Sequence, residues 1–151
     1  MPCKTLKTQC VIAGGGPAGM MLGFLLARAG VDVIVLEKHA DFLRDFRGDT
    51  IHPSTLEIMH ELGLLEEFLK CPHQKAYTLT GYVEDEPITL GDLSKLPVRC
   101  PYIALMPQWD FLNFLATYAK QYPTFQLIMQ AEASGIIEEN DRIAGIIVQM
   151  P

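Results

Sequence analysis

Six residues near the start of the chain, Gly14-Gly15-Gly16-Pro17-Ala18-Gly19, set glycine at the first, third and sixth places of a G-x-G-x-x-G pattern. That spacing suits a backbone that must close around a pyrophosphate. Gly14 permits a tight turn, Gly16 lets the main chain approach phosphate oxygens with no side chain between, and Gly19 lets a helix pack closely on a strand. Pro17 fits a first helical turn, where its missing N–H costs nothing. The N–H groups that remain there, from Ala18 onward, form an anion site reinforced by the helix dipole. Glu37 stands 23 residues beyond Gly14, where an acidic side chain accepts hydrogen bonds from a ribose 2′-hydroxyl and repels a 2′-phosphate. Together these residues point to an adenosine diphosphate moiety with a free ribose, as in FAD or NAD rather than NADP. Lys38 either borders that ribose and adenine or is a solvated lysine.

A glycine pattern has meaning only between a strand and a helix, and the flanking sequence supplies both. Gln9 to Ala13 is a compact apolar run containing β-branched Val11 and Ile12, which reads as a buried strand. Ala18, Met21, Leu22, Leu25, Leu26 and Ala29 then follow helical spacing up to the stop at Gly30. Val31 to Leu36 reads as a second strand, buried in a parallel sheet, so the three elements make a βαβ unit.

Further on, His39 to Pro53 is polar and irregular. A helix is expected from Ser54 to about Leu69, with Ile58, Leu62, Leu65 and Leu69 on one face and Gly63 as a point of bend or division. Tyr77 to Leu90 reads as a β-hairpin around Glu84-Asp85-Glu86, followed by a loop from Asp92 to Cys100. Tyr102 to Met106 is a short strand. Pro107 opens a helix with Leu112, Leu115, Ala116 and Ala119 on one face, and Phe125 to Met129 is the next strand. Ala133 to Ile137 and Ile143 to Val148, joined through Glu139-Asn140-Asp141, form an antiparallel pair. The expected fold is therefore α/β and Rossmann-like, a parallel sheet with an antiparallel β-meander, incomplete at its C-terminal end.

The chain has 151 residues, 49% hydrophobic, with 12 Lys and Arg against 18 Asp and Glu. That length suffices for a core without disulfide or metal staples. The acidic balance, with no basic stripe, argues against nucleic acid. Cys3, Cys10, Cys71 and Cys100 show no C-x-x-C spacing, which suits a reducing, cytoplasmic setting. The four histidines lack metal-ligand companions, so no metal is expected. Lys4 and Lys7 before an apolar run ending in Ala27-Arg28-Ala29 imitate a signal peptide, but Gly14 to Pro17 interrupt the apolar stretch and cleavage there would split the βαβ unit. No apolar stretch reaches the ~20 residues of a membrane span. Arg47-Gly48-Asp49 spells an adhesion tripeptide that is common by chance, and no export signal accompanies it.

Val11-Ile12-Ala13 leading into the glycine turn, then Leu36-Glu37-Lys38, resembles the opening of the FAD-dependent aromatic hydroxylases, the p-hydroxybenzoate hydroxylase class of flavoprotein monooxygenases. Arg47, in Phe46-Arg47-Gly48-Asp49-Thr50, stands where that family has an arginine contacting the FAD diphosphate and adenosine side. Ser54-Thr55-Leu56-Glu57 and Glu61-Leu62-Gly63-Leu64-Leu65 are similar to the family's next helix. Gln108, in Met106-Pro107-Gln108-Trp109-Asp110-Phe111-Leu112, stands where the family places an arginine or glutamine near the flavin's ribityl and pyrophosphate groups. Glu132 to Ile137, followed by Arg142 to Ile146, resembles the strand pair at which a backbone group near Ala133 meets the adenine.

The resemblance implies that residues 1–151 are the N-terminal part of an FAD-binding domain, with a hairpin excursion around 76–100. The family's later Asp-Gly and Gly-Asp segments and its substrate sheet are not found. The chain is accordingly expected to be a fragment, inactive alone, of an enzyme that reduces FAD with NAD(P)H and hydroxylates a small aromatic substrate through a flavin hydroperoxide. In such an enzyme the turn would hold FAD, NAD(P)H would be a transient reductant, and no residue here would act as catalytic acid or base. Two alternatives remain: another FAD- or NAD-dependent oxidoreductase sharing the turn, or a non-catalytic fragment.

Overall fold

The computed structural model of the protein describes residues 5–43 and 48–151. In chain order its elements are β1 (Cys10–Ala13), α1 (Pro17–Arg28), β2 (Val33–Glu37), β3 (Thr50–Ile51), α2 (Pro53–Glu61), α3 (Leu65–Phe68) and β4 (Gln74–Ala76). They continue with β5 (Thr78–Val83), β6 (Glu86–Asp92), a 3-10 turn at Leu93–Lys95, β7 (Ile103–Leu105), α4 (Gln108–Ala119), β8 (Phe125–Met129), β9 (Glu132–Glu139) and β10 (Arg142–Gln149). They fall into two compact units, Met1–Leu43 with Phe111–Pro151, and Arg44–Asp110.

The first unit is built on a parallel sheet ordered β1-β2-β8. Cys10 pairs with Val33, and Val33 with Phe125, so β2 is the central strand. Its sequence, Val-Ile-Val-Leu-Glu, is buried along its whole length, as a strand covered on both faces requires. α1 lies against this sheet by Met20, Gly23, Phe24 and Ala27, whereas Leu22 and Leu25 are 48% and 39% exposed. The apolar stripe expected from spacing is thus turned away from the buried one. The helix is apolar nearly all round, and close approach at the glycines decides which face goes in: a Cβ on Gly23 would come within 2.5 Å of Val35 Cγ2.

α1 ends in a Schellman motif, with Gly30 at φ +81° and hydrogen bonds from Gly30 N to Ala27 O and from Val31 N to Leu26 O,. α4 buries Phe111, Leu112, Leu115, Ala116 and Ala119. β9 and β10 form an antiparallel hairpin whose turn residues Asn140 and Asp141 both have positive φ, the backbone of a type I′ turn. Ile34, Leu36 and Ala131 form a buried cluster against which Val11, Ile128 and Ile146 pack.

In the second unit β7 is the centre of an antiparallel sheet ordered β3-β7-β4. β3 was not legible in the polar stretch that contains it. β5 and β6 pair separately around Glu84 and Asp85, again both at positive φ. The single helix expected from Ser54 to Leu69 is two, because Gly63, at φ +75°, closes a Schellman motif: Gly63 N bonds to His60 O and Leu64 N to Met59 O,. That break moves the buried face to Leu56, Met59, Leu65 and Phe68, leaving Ile58 43% exposed. Tyr102 is buried, with the His73 ring stacked at 6.5 Å and Tyr77 at 5.4 Å. Lys75 Nζ lies 4.8 Å from its centroid.

Candidate functional site

β1 stops at Ala13, and Gly14, at φ +114°, extends the ladder by one more bond, from its N–H to Leu36 O at 2.8 Å, before the chain turns. Gly16 is the N-cap of α1, extended at φ −72° and ψ −178°, and no side chain caps the helix. Pro17 follows as the first helical residue, and Met20 N returns to Gly16 O at 2.9 Å. A Cβ on Gly19 would collide with the Gly14 carbonyl oxygen, which locks helix to turn; a Cβ on Gly16 would meet nothing within 4 Å and would project into open space. An uncapped helix end fronted by such a space can take up an anion without any side chain moving.

Glu37, at the end of β2, is buried with only 7% of its surface exposed. Its Oε2 accepts a 3.0 Å hydrogen bond from Gly15 N. Its Oε1 accepts from His39 N at 3.0 Å and meets His39 Nδ1 at 2.6 Å. The backbone around the carboxylate is tied down as well, by Ala131 N to Glu37 O and Gln130 N to His39 O, both 2.9 Å. A buried carboxylate is tolerated when its oxygens are hydrogen-bonded, and each oxygen can accept more than one bond. This donor set fits the adenosine and diphosphate end of a dinucleotide: N–H groups for phosphate and an acceptor for ribose hydroxyls. Lys38, adjacent, is exposed, and so is Ala133, paired with Val148 across the β9–β10 hairpin.

In the second unit, Gln108 begins α4. Its backbone N–H donates to Asp49 Oδ1 at 3.3 Å, while Asp49 O accepts from Met106 N at 2.9 Å. Gln108 Nε2 lies 3.2 Å from where a Cβ on Gly48 would stand, and Gly48 has φ +70°. A cleft of about 450 Å³ is lined by Asp49, Pro72, His73, Gln74, Leu105, Met106 and Pro107. Burial pushes the Tyr102 phenol well above its ordinary range, helped by its hydrogen bond with Cys100 and the neighbouring Tyr77,. Arg47 and Cys3 lie outside the described residues.

Three participants escaped the sequence pattern. Gly15 fills a position the pattern leaves open, yet it contacts Glu37. His39 and Asp49 engage their partners through side chains that no motif marks, and only the +2 spacing of His39 from Glu37 hinted at contact. Among the described residues, no group of three or more His, Cys, Asp or Glu could hold a metal ion. No helix there is long and apolar enough to cross a membrane.

A family model described as FAD binding domain matches residues 7–150. An uncharacterized aromatic compound monooxygenase of Bacillus subtilis is 33% identical over 141 residues, covering 93% of this chain and 27% of that protein. The 6-methylpretetramide 4-monooxygenase of Streptomyces rimosus is 27% identical over 150 residues, covering 97% of this chain and 35% of its own length. The structure of OxyS anhydrotetracycline hydroxylase from Streptomyces rimosus superposes with a TM-score of 0.79 at 27% identity, over 97% of this chain and 29% of that one. The chain thus spans about a quarter to a third of the length of these curated relatives. The parallel βαβ unit, its glycine turn, the buried acid at the end of β2 and a match along nearly the whole chain agree: the protein belongs to the FAD binding domain family, and its dinucleotide is FAD.

Proposed function

We propose that the chain holds the adenosine diphosphate end of FAD in an NAD(P)H-dependent monooxygenase that hydroxylates a small aromatic or similar organic molecule. The observation that carries this reading is the uncapped N-terminus of α1 behind Gly16, with Glu37 fixed beside it. The likeness to an aromatic compound monooxygenase and to 6-methylpretetramide 4-monooxygenase supports the reaction class.

In this reading Gly14, Gly16, Pro17, Ala18 and Gly19 shape the pyrophosphate turn and Glu37 takes the ribose hydroxyls. Lys38 and the Ala133 backbone border the adenosine, and Arg47 and Gln108 serve the diphosphate and ribityl groups. Bound FAD, reduced by a nicotinamide cofactor, supplies the activation of oxygen. The residues of this chain bind and orient it. None has to move a proton, so no catalytic acid or base is assigned. A cytoplasmic setting is proposed from Cys10, Cys71 and Cys100, which are free thiols,.

Monooxygenation belongs, in the relatives, to proteins about three to four times as long, and hydroxylation is proposed for a polypeptide of that length carrying this stretch. The test is isotopic. With FAD, NADH or NADPH, a phenolic substrate and labelled dioxygen, the hydroxylated product should carry one labelled oxygen atom. Label taken from water instead, or no hydroxylated product with any phenol tried, overturns the reading.

A further inference from the structure

We propose that His39 is a positioning residue of the ribose site: its ring holds the Glu37 carboxylate in the orientation that receives the adenosine ribose of FAD. The inference rests on the reading of Glu37 given above and adds a residue that neither the glycine pattern nor the acid predicts.

Glu37 Oε2 is held by Gly15 N at 3.0 Å and Oε1 by His39 Nδ1 at 2.6 Å. Donors on both oxygens fix the plane of the carboxylate. The backbone N–H of His39 also reaches Oε1, at 3.0 Å, and the ring makes the shorter of the two contacts to that oxygen. The ring is well placed for the task, because the His39 carbonyl is bound by Gln130 N at 2.9 Å, fixing the residue from which the ring projects. An ionised carboxylate only accepts, so the His39 tautomer that makes this contact carries its proton on Nδ1 and donates. Holding an acceptor in its bound orientation before the ligand arrives raises affinity by removing the ordering that binding would otherwise require.

His39 acts through Glu37 and therefore only on the ribose hydroxyls, and this sets its test apart from a general structural role. Dissociation constants for FAD and for a deoxy analogue whose adenosine ribose lacks both the 2′- and 3′-hydroxyls would be measured by flavin fluorescence on the whole chain, with circular dichroism verifying that each variant is folded. His39→Ala is expected to weaken FAD about fivefold to tenfold, the size of one charge-assisted hydrogen bond partly replaced by water, and to leave the deoxy analogue within about twofold. His39→Asn, whose amide N–H can stand near Nδ1, should restore most of the affinity, and His39→Ala should add nothing in a Glu37→Ala background. Equal weakening of both ligands, or full affinity in His39→Ala, overturns the proposal while leaving FAD binding intact. Failure of the unaltered chain to bind FAD overturns the underlying reading and this one with it.

Discussion

Glu37 and Gly15 are fitted to one another: Oε2 of the acid accepts the Gly15 N–H at 3.0 Å, and a Cβ on Gly15 would lie 2.9 Å from the Cβ of Glu37. The acid alone therefore requires a glycine at this position. Gly15→Ala should push Glu37 out of place and weaken FAD by about tenfold. Because both changes act on one contact, Gly15→Ala combined with Glu37→Ala should lose little more than either alone, as isothermal titration would show.

Gly16 and Gly19 should respond oppositely to the same substitution. A Cβ on Gly16 enters open space, and its φ of −72° suits any residue. Gly16→Ala should leave stability within about 0.5 kcal/mol and weaken FAD by filling the approach to the phosphates. A Cβ on Gly19 strikes the Gly14 backbone carbonyl, which cannot step aside, so Gly19→Ala should lose at least about 2 kcal/mol in urea unfolding.

At Gly23 two effects compete. Alanine is favoured over glycine inside a helix by about 1 kcal/mol. Its Cβ, however, would stand 2.5 Å from Val35 Cγ2 and 3.1 Å from Phe125 Cε2, and such overpacking costs about 1–3 kcal/mol. Gly23→Ala should come out destabilised by about 1 kcal/mol, since the overpacking exceeds the gain. A raised melting temperature would show that α1 can move off the sheet.

Alkaline pH should unfold the protein through Tyr102. Its folded-state pKa is raised by burial and by the bond with Cys100, so the folded state holds the proton more tightly than the unfolded chain does. The stability this contributes is fully present below the ordinary tyrosine range near about pH 10 and is lost as pH rises through and beyond it. Tyr102→Phe should flatten the fall in melting temperature above that pH. An unchanged slope would mean that other groups govern it.

Much of this arrangement was legible in the sequence because each βαβ element announces itself by a different period, and because the glycine turn sits where the period changes. β2, β8 and the β9–β10 pair were readable from apolar runs and turn residues. The buried face of α1 was not, since a helix apolar on nearly every side gives spacing no preference, and only the room available at Gly19 and Gly23 selects one. The division of α2 from α3 was marked by Gly63 but its consequence for Ile58 was not, because a Schellman break resets the helical phase. β3, only two residues long, has too little sequence to carry a pattern. Of the proposed site, Gly14, Gly16, Gly19 and Glu37 were marked in the sequence by a spacing of glycines and an acid at the ends of two strands. Gly15 and His39 follow from how one carboxylate is anchored, which only coordinates display.

The central claim, that this chain takes FAD at the turn before α1, is tested most directly by the visible absorption spectrum of the purified protein after FAD is added and the excess removed, with NAD in a parallel sample. Flavin bands should persist in the chain, be lost in Gly16→Val and Glu37→Ala, and have no counterpart in retained NAD. A folded chain that keeps NAD and releases all flavin would contradict the account.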